Sequence, residues 1–119
     1  MSYFLDSYAI IEIIKGNSKY AMYLSFECRT SVFNLYEIAY RLLQENEEAA
    51  VKNFSIFLQY KVEIEDNWFV EAAKFRLKNK GRKLSYADCI GYIASLKTGL
   101  VFLTGDREFK GMENVEFVS

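Results

Sequence analysis

The stretch YFLDSYAIIEII, residues 3–14, changes its period in the middle. Tyr3 to Leu5 is a short apolar run suited to a buried strand. From Ser7 to Ile14 the residues Ile10, Ile13 and Ile14 share one helical face, and Gly16 closes the segment. The break falls on Asp6. Three further carboxylates stand where a short apolar run breaks into a helix or turn, or close behind one: Glu37 in TSVFNLYEIAY, Asp88 in LSYADCIGYIA and Asp106 in VFLTGDREF. Acids at the carboxyl ends of parallel strands converge on one crevice. Several acids in one crevice repel each other unless a cation lies between them. The pattern predicts a divalent-metal site and, with it, phosphodiester chemistry.

Working outward, Ser18 to Phe26 reads as a second short helix, with Ala21, Met22 and Leu24 apolar. Arg29 to Val32 is a weak strand candidate. Leu35 to Gln44 is helical through Leu35, Ile38, Ala39 and Leu42. Glu47 to Gln59 continues as a helix with Ala50, Val51, Phe54, Phe57 and Leu58 inward. Lys61 to Ile64 alternates like a short strand. Trp68 to Asn79 is amphipathic through Phe69, Ala72, Ala73 and Leu77, and Gly81 ends it. Ser85 to Lys97 is helical, packed by Tyr86, Ile90, Ile93 and Ala94 and capped by Gly99. Leu100 to Leu103 is the clearest buried strand, and Val115 to Val118 a final one. No proline occurs, so helix ends rest on glycine, caps and pattern changes. Strands alternating with helices predict an α/β fold: one three-layer α/β/α domain over residues 1–119, with a mostly parallel central sheet of about four to five strands.

Composition narrows the chemistry. A chain of 119 residues, 51% apolar and 17% aromatic, can bury a full core. A net charge of −1 argues against binding nucleic acid through bulk positive charge. Histidine is absent, which removes imidazole bases, Ser-His-Asp catalysis and His-ligated zinc. Cys28 and Cys89 lack C-x-x-C spacing and are expected to be reduced and buried. No signal-peptide pattern opens the chain, and no apolar run approaches ~18 residues, so the expected location is cytoplasmic.

Each acid also has an ordinary structural role on offer. Asp6 suits a helix N-cap. Glu37 suits the first turn of a helix beginning near Asn34. Ser85 and Asp88 have the spacing of a capping box, with Asp in place of the usual Glu. Gly105-Asp106 is a common turn dipeptide, and Glu108 is expected to be solvated.

Taken in order, YFLDSYAIIE, TSVFNLYEIAYRLL, LSYADCIGYIAS and VFLTGDREFKG resemble the successive motifs of PIN-domain proteins, over nearly the whole chain. That family carries an Asp after its first strand, a Glu in the helix after the second, an Asp in a later helix and an Asp after the fourth strand. These fall on Asp6, Glu37, Asp88 and Asp106. Ser7 and Thr104 match small hydroxyl positions beside the first and last acids, Asn34 a polar position one turn before Glu37, and Phe109 the aromatic after the last acid.

The resemblance implies a Mg²⁺- or Mn²⁺-dependent ribonuclease. Such small single-domain relatives are most often VapC-type toxins of toxin–antitoxin pairs. Asp6 and Asp88 are then the principal metal-binding carboxylates. Asp106 would hold a second metal or a metal-bound water, and Glu37 would bind through water or orient the nucleophile. Ser7, Asn34 and Thr104 would steady these acids by hydrogen bonds. Hard oxygen ligands suit either cation, which activates water without imidazole. The expected partners are an RNA substrate, an antitoxin helix laid in a groove and a second copy of this chain.

Between Lys74 and Lys83 stand six cations and no acid. Of these Arg76, Lys80, Arg82 and Lys83, joined by Arg107 beside the last acid, are weak candidates for RNA contact; the ordinary alternative is favourable charge at a helix C-terminus. Nine tyrosines and ten phenylalanines exceed the ordinary needs of so small a core. Some of them, among Tyr20, Tyr23, Tyr36, Tyr40, Phe54 and Phe57, are expected to cover a partner surface. Two rivals remain: an RNA-processing nuclease of the same fold with no toxin role, and a PIN-like module that binds RNA or protein without cutting. An Asp-x-Asp phosphatase would need an acid at Tyr8, and no phosphate-binding G-x-x-x-x-G-K-[ST] loop is present.

Overall fold

A computed structural model describes every residue from Met1 to Ser119. Four strands, β1 (Ser2–Leu5), β2 (Glu27–Arg29), β3 (Val101–Thr104) and β4 (Val115–Phe117), form one sheet in the order β2-β1-β3-β4. Every pairing is parallel, with Phe4 opposite Arg29 on one side and Phe102 on the other. Six α-helices complete the chain: α1 (Ser7–Ile14), α2 (Ser18–Ala21), α3 (Val32–Leu43), α4 (Glu47–Leu58), α5 (Asp66–Lys78) and α6 (Tyr86–Thr98).

The period of two along each strand divides the core. Tyr3, Leu5 and Leu103 face one cluster, completed by Ile10, Tyr20, Leu35, Ile38 and Phe57 from α1 to α4. Phe4 and Phe102 face the other, completed by Trp68, Ala72, Ile90, Ile93 and Phe109. Both sheet faces are therefore covered, which is why the central strands β1 and β3 are mainly apolar runs, whereas the edge strands β2 and β4 carry charged residues. The result is the α/β/α layering expected.

Several local expectations are corrected. The second strand lies at Glu27–Arg29 and not at Arg29–Val32, because the Ser31 hydroxyl accepts from the Asn34 amide and starts α3 at Val32. Lys61 to Ile64 forms no strand and makes a single bridge from Lys61 to Thr30. Val51, Leu77 and Tyr86, read as core, are 62%, 70% and 73% exposed. Helical periodicity marks an apolar face without saying how much of it a neighbour covers.

Gly91 lies inside α6, where glycine is otherwise unfavourable. A Cβ there would stand 2.8 Å from the Phe4 ring and 3.2 Å from the Asn34 side-chain oxygen. Phe4 is fully buried and stacked on Phe102, so it has nowhere to move. The missing side chain lets α6 close on β1 and α3, which brings Asp88 toward Asp6 and Glu37. Gly91→Ala is expected to cost about 1–3 kcal/mol in denaturant unfolding despite alanine's better helix propensity.

Candidate active site

In the strand order, β2 is reached from β1 on one side and β3 lies on the other. The chain reverses direction of travel across the sheet between β1 and β3, and open parallel sheets bind ligands at that crevice. Asp6 follows the last residue of β1, and Asp106 comes two residues after the end of β3. Asp88 enters from the first turn of α6 and Glu37 from α3. All four line one cleft of about 520 Å³.

The ordinary roles read from the sequence for Asp6, Asp88 and Asp106 are present as well, whereas Glu37 lies beyond the first turn of α3, which begins at Val32. Asp6 Oδ1 accepts the Ala9 amide at 2.8 Å and caps α1. Asp88 Oδ2 accepts the Ser85 amide at 2.8 Å, while Ser85 Oγ accepts the Asp88 amide at 3.0 Å, a complete capping box. Asp106 Oδ1 accepts from the Glu108 amide at 3.0 Å. Capping thus fixes where each of these acids stands.

Hydroxyl and amide groups fix the rest. Thr104 Oγ1 donates to Asp6 Oδ2 and accepts the Asp106 amide at 2.9 Å, tying the acids after β1 and β3 together. Glu37 is reached by a relay that leaves α3 for Ser7 of α1 and returns. Ser31 Oγ donates to Asn34 Oδ1 at 2.5 Å, Asn34 Nδ2 donates to Ser7 Oγ at 3.1 Å, and Ser7 Oγ donates to Glu37 Oε1 at 2.6 Å. Asn34 and Ser31 are fully buried, so their polar atoms need these partners. Ser31 was missed by the sequence reading. Its signal was a serine three residues before Asn34 at a helix start.

Burial shapes the charges. Asp6 is 1% exposed. Desolvation pushes its pKa up from 3.8 to about 8; the bonds from Thr104 and Ala9 pull the other way, and Asp88 and Asp106 add to the rise. Asp88 rises to about 6, mainly by burial, against the Ser85 amide, with Glu37 and Asp106 raising it further. Burial, with the neighbouring acids adding to it, makes these two carboxyls resist ionisation.

Only oxygen donors among the usual metal ligands face the cleft. Both cysteines are buried outside it and unpaired. That set fits a hard divalent cation such as Mg²⁺ or Mn²⁺. As the side chains stand, each turned to its own cap or hydroxyl, no three acids form a group that could hold a metal ion.

Cations and aromatics complete the lining. Lys83, a candidate for RNA contact in the sequence, lies in the cleft; Arg41, Tyr8, Tyr36 and Tyr40 line it too, which the sequence did not indicate. Tyr36 and Tyr40 are largely exposed, whereas Tyr20 and Phe57 are core. Arg76, Lys80 and Arg82 line a different groove, and Arg107 lines neither.

The PIN domain profile matches residues 3–115. The chain belongs to the PIN domain family. No curated protein matches it in sequence. Several solved structures share the PIN fold. VapC20 of Mycobacterium tuberculosis, described as a toxin that cleaves the sarcin-ricin loop, superposes with a TM-score of 0.77 at 18% identity, covering 98% of this chain and 96% of that one. A chain of the VapBC2 complex of Rickettsia felis, bound to a promoter DNA fragment, gives 0.73 at 18%, covering 99% and 98%. A toxin–antitoxin complex from Klebsiella pneumoniae gives 0.72 at 18%, covering 96% and 95%. At such identities the likeness is one of fold.

The raised carboxyl values have a consequence for stability. The folded protein keeps protons on Asp6 and Asp88 that the unfolded chain sheds near pH 4, so folding is favoured at low pH and loses that advantage as pH rises through about 6 for Asp88 and about 8 for Asp6. In metal-free buffer, urea unfolding is expected to show stability falling from pH 5 to pH 8. Asp6→Asn should flatten the slope and be more stable than wild type at pH 8 by about 2 kcal/mol.

Proposed function

We propose that this PIN domain is a divalent-metal-dependent endoribonuclease, the toxin of a toxin–antitoxin pair. The observation that carries the reading is the meeting of Asp6, Glu37, Asp88 and Asp106, from four separate stretches of chain, in one cleft at the sheet's switch point. Two of these acids resist ionisation as they stand, which is what a site completed by a cation looks like from the protein side. The toxin assignment draws support from the fold shared with VapBC complexes.

Asp6 and Asp88 would hold the ion, with Asp106 as a further ligand. When bound, the cation supplies positive charge against the scissile phosphate and makes water a competent nucleophile near neutral pH. Glu37 is held through Oε1 by Ser7, which leaves Oε2 to orient the attacking water and take its proton. Thr104 keeps Asp6 aimed while bridging to the Asp106 amide. Lys83 and Arg41, on the cleft wall, would meet the phosphates on either side of the scissile bond. The exposed rings of Tyr36 and Tyr40 offer surface to an antitoxin helix, and a second copy of the chain completes the expected assembly. The expected compartment is the cytoplasm. The structure has no helix long and apolar enough to cross a membrane.

Purified protein should cleave RNA with Mn²⁺ or Mg²⁺ and stop on chelation. Asp6→Asn and Asp88→Asn should each lower the rate by at least about 100-fold while remaining folded. Growth arrest on expression in a bacterium, relieved by Asp88→Asn, separates a toxin from a processing nuclease. Equal cleavage by wild type and both variants would end the nuclease reading.

A further inference from the structure

Residues 82–86 form a ridge between two depressions. Lys83 and Ser85 line the acid cleft, whereas Arg82, Leu84 and Tyr86 line a second groove of about 380 Å³ between α5 and α6. The side chains alternate as those of extended chain do, and Ser85 has φ −77° and ψ 168°. One short segment therefore serves both sites.

The second groove has an apolar floor, with Leu84 and Ile90 buried in it. Its rim is cationic. Arg76, Lys80 and Arg82 line it, no acid does, and none of the three forms an ion pair. The Arg76 guanidinium lies 4.4 Å from the centre of the Tyr86 ring and is held there by Nε donating to the Leu84 carbonyl at 3.1 Å. Tyr86 is 73% exposed although it sits at the start of a buried helix. The arginine covers one side of the ring and leaves the rest open to a flat partner.

Resting on the ribonuclease reading, we propose that this groove is a subsite for an unpaired nucleotide of single-stranded RNA adjoining the scissile bond. The base lies on the apolar floor against Tyr86, and its phosphates run over the ridge among Lys80, Arg82 and Lys83. An apolar slot with cations at its mouth and an aromatic wall matches the amphiphilic character of a nucleotide. An acidic peptide shares part of that chemistry. RNA is favoured because the ridge joins the groove directly to the carboxylate cleft, so a strand lying across Lys83 reaches both. A paired base cannot enter, so the groove selects unstacked RNA.

The test is binding of a short fluorescent single-stranded RNA by anisotropy, in EDTA, with mass from light scattering measured alongside. Tyr86→Ala, an exposed position safe for folding, should weaken binding by roughly 10-fold. Lys80→Ala should reduce the salt dependence of the binding constant by about 0.7 in logarithmic slope. Unchanged affinity and slope in these variants would overturn the subsite, as would an effect that appears only together with a change in molar mass, which would make the groove a contact between copies. Tyr86-dependent binding by a wild-type protein that cuts nothing with Mn²⁺ would uphold the subsite and remove the nuclease reading. Cleavage with no Tyr86 dependence would remove the subsite alone, and absence of any RNA binding would also remove it.

Discussion

Asp6 is a carboxylate placed where water barely reaches, at the seam between the two central strands. An ionised carboxylate is costly in such a place unless donors or a cation offset it. Two donors are provided, the Ala9 amide and the Thr104 hydroxyl, and they do not suffice to keep its acidity normal. Everything else in the cleft follows from this unfavourable placement. Asp88 and Asp106 add to it, and under the proposed function a bound cation would relieve it.

The scaffold holds the acids by the same bonds that start its helices. Asp6 caps α1, Asp88 closes the capping box of α6, and Asp106 caps the short 3₁₀ turn after β3. Each cap leaves a carboxylate at a helix start, where the partial positive charge of the peptide dipoles partly compensates it. Under the proposed function, capping and ligation would be one arrangement serving two ends. Glu37 differs, being inside α3, and it is steadied by the Ser31–Asn34–Ser7 relay instead. Gly91 then allows α6 to approach Phe4 and Asn34, so that the buried amide and the α6 carboxylate belong to one packed unit.

Asp6 and Asp106 were legible because each follows the end of an apolar strand, and such breaks in a parallel sheet share one edge; Glu37 and Asp88 lie inside α3 and α6, and the resemblance to PIN-domain motifs is what set them beside the other two. The strands before Asp6 and Asp106 were legible because burial on both faces makes them continuous apolar runs. Ser7, Asn34 and Thr104 were expected beside the acids from the resemblance; the link from Ser31 through Asn34 to Ser7 was not, since Ser7 and Asn34 meet only after the chain has passed through β2. Tyr36 and Tyr40 were read only as helix aromatics that could cover a partner surface, and Arg41 carried no reading, because periodicity does not say which side chains line a cleft. The exposure of Leu77 and Tyr86 reversed their reading for the same reason: an apolar stripe shows where contact is possible, and tertiary structure decides whether it is made. Lys61 to Ile64 alternates as a strand does but has only Thr30 to pair with.

Under the proposed function, the buried Asp6 carboxyl gives up its proton to a divalent ion. Calorimetric titration of Mn²⁺ at pH 7, repeated in buffers of different ionisation enthalpy, measures it directly. The account predicts saturable binding with release of about one proton or more per ion, drawn chiefly from Asp6. Binding with no proton release, or none at all at millimolar metal, would contradict it.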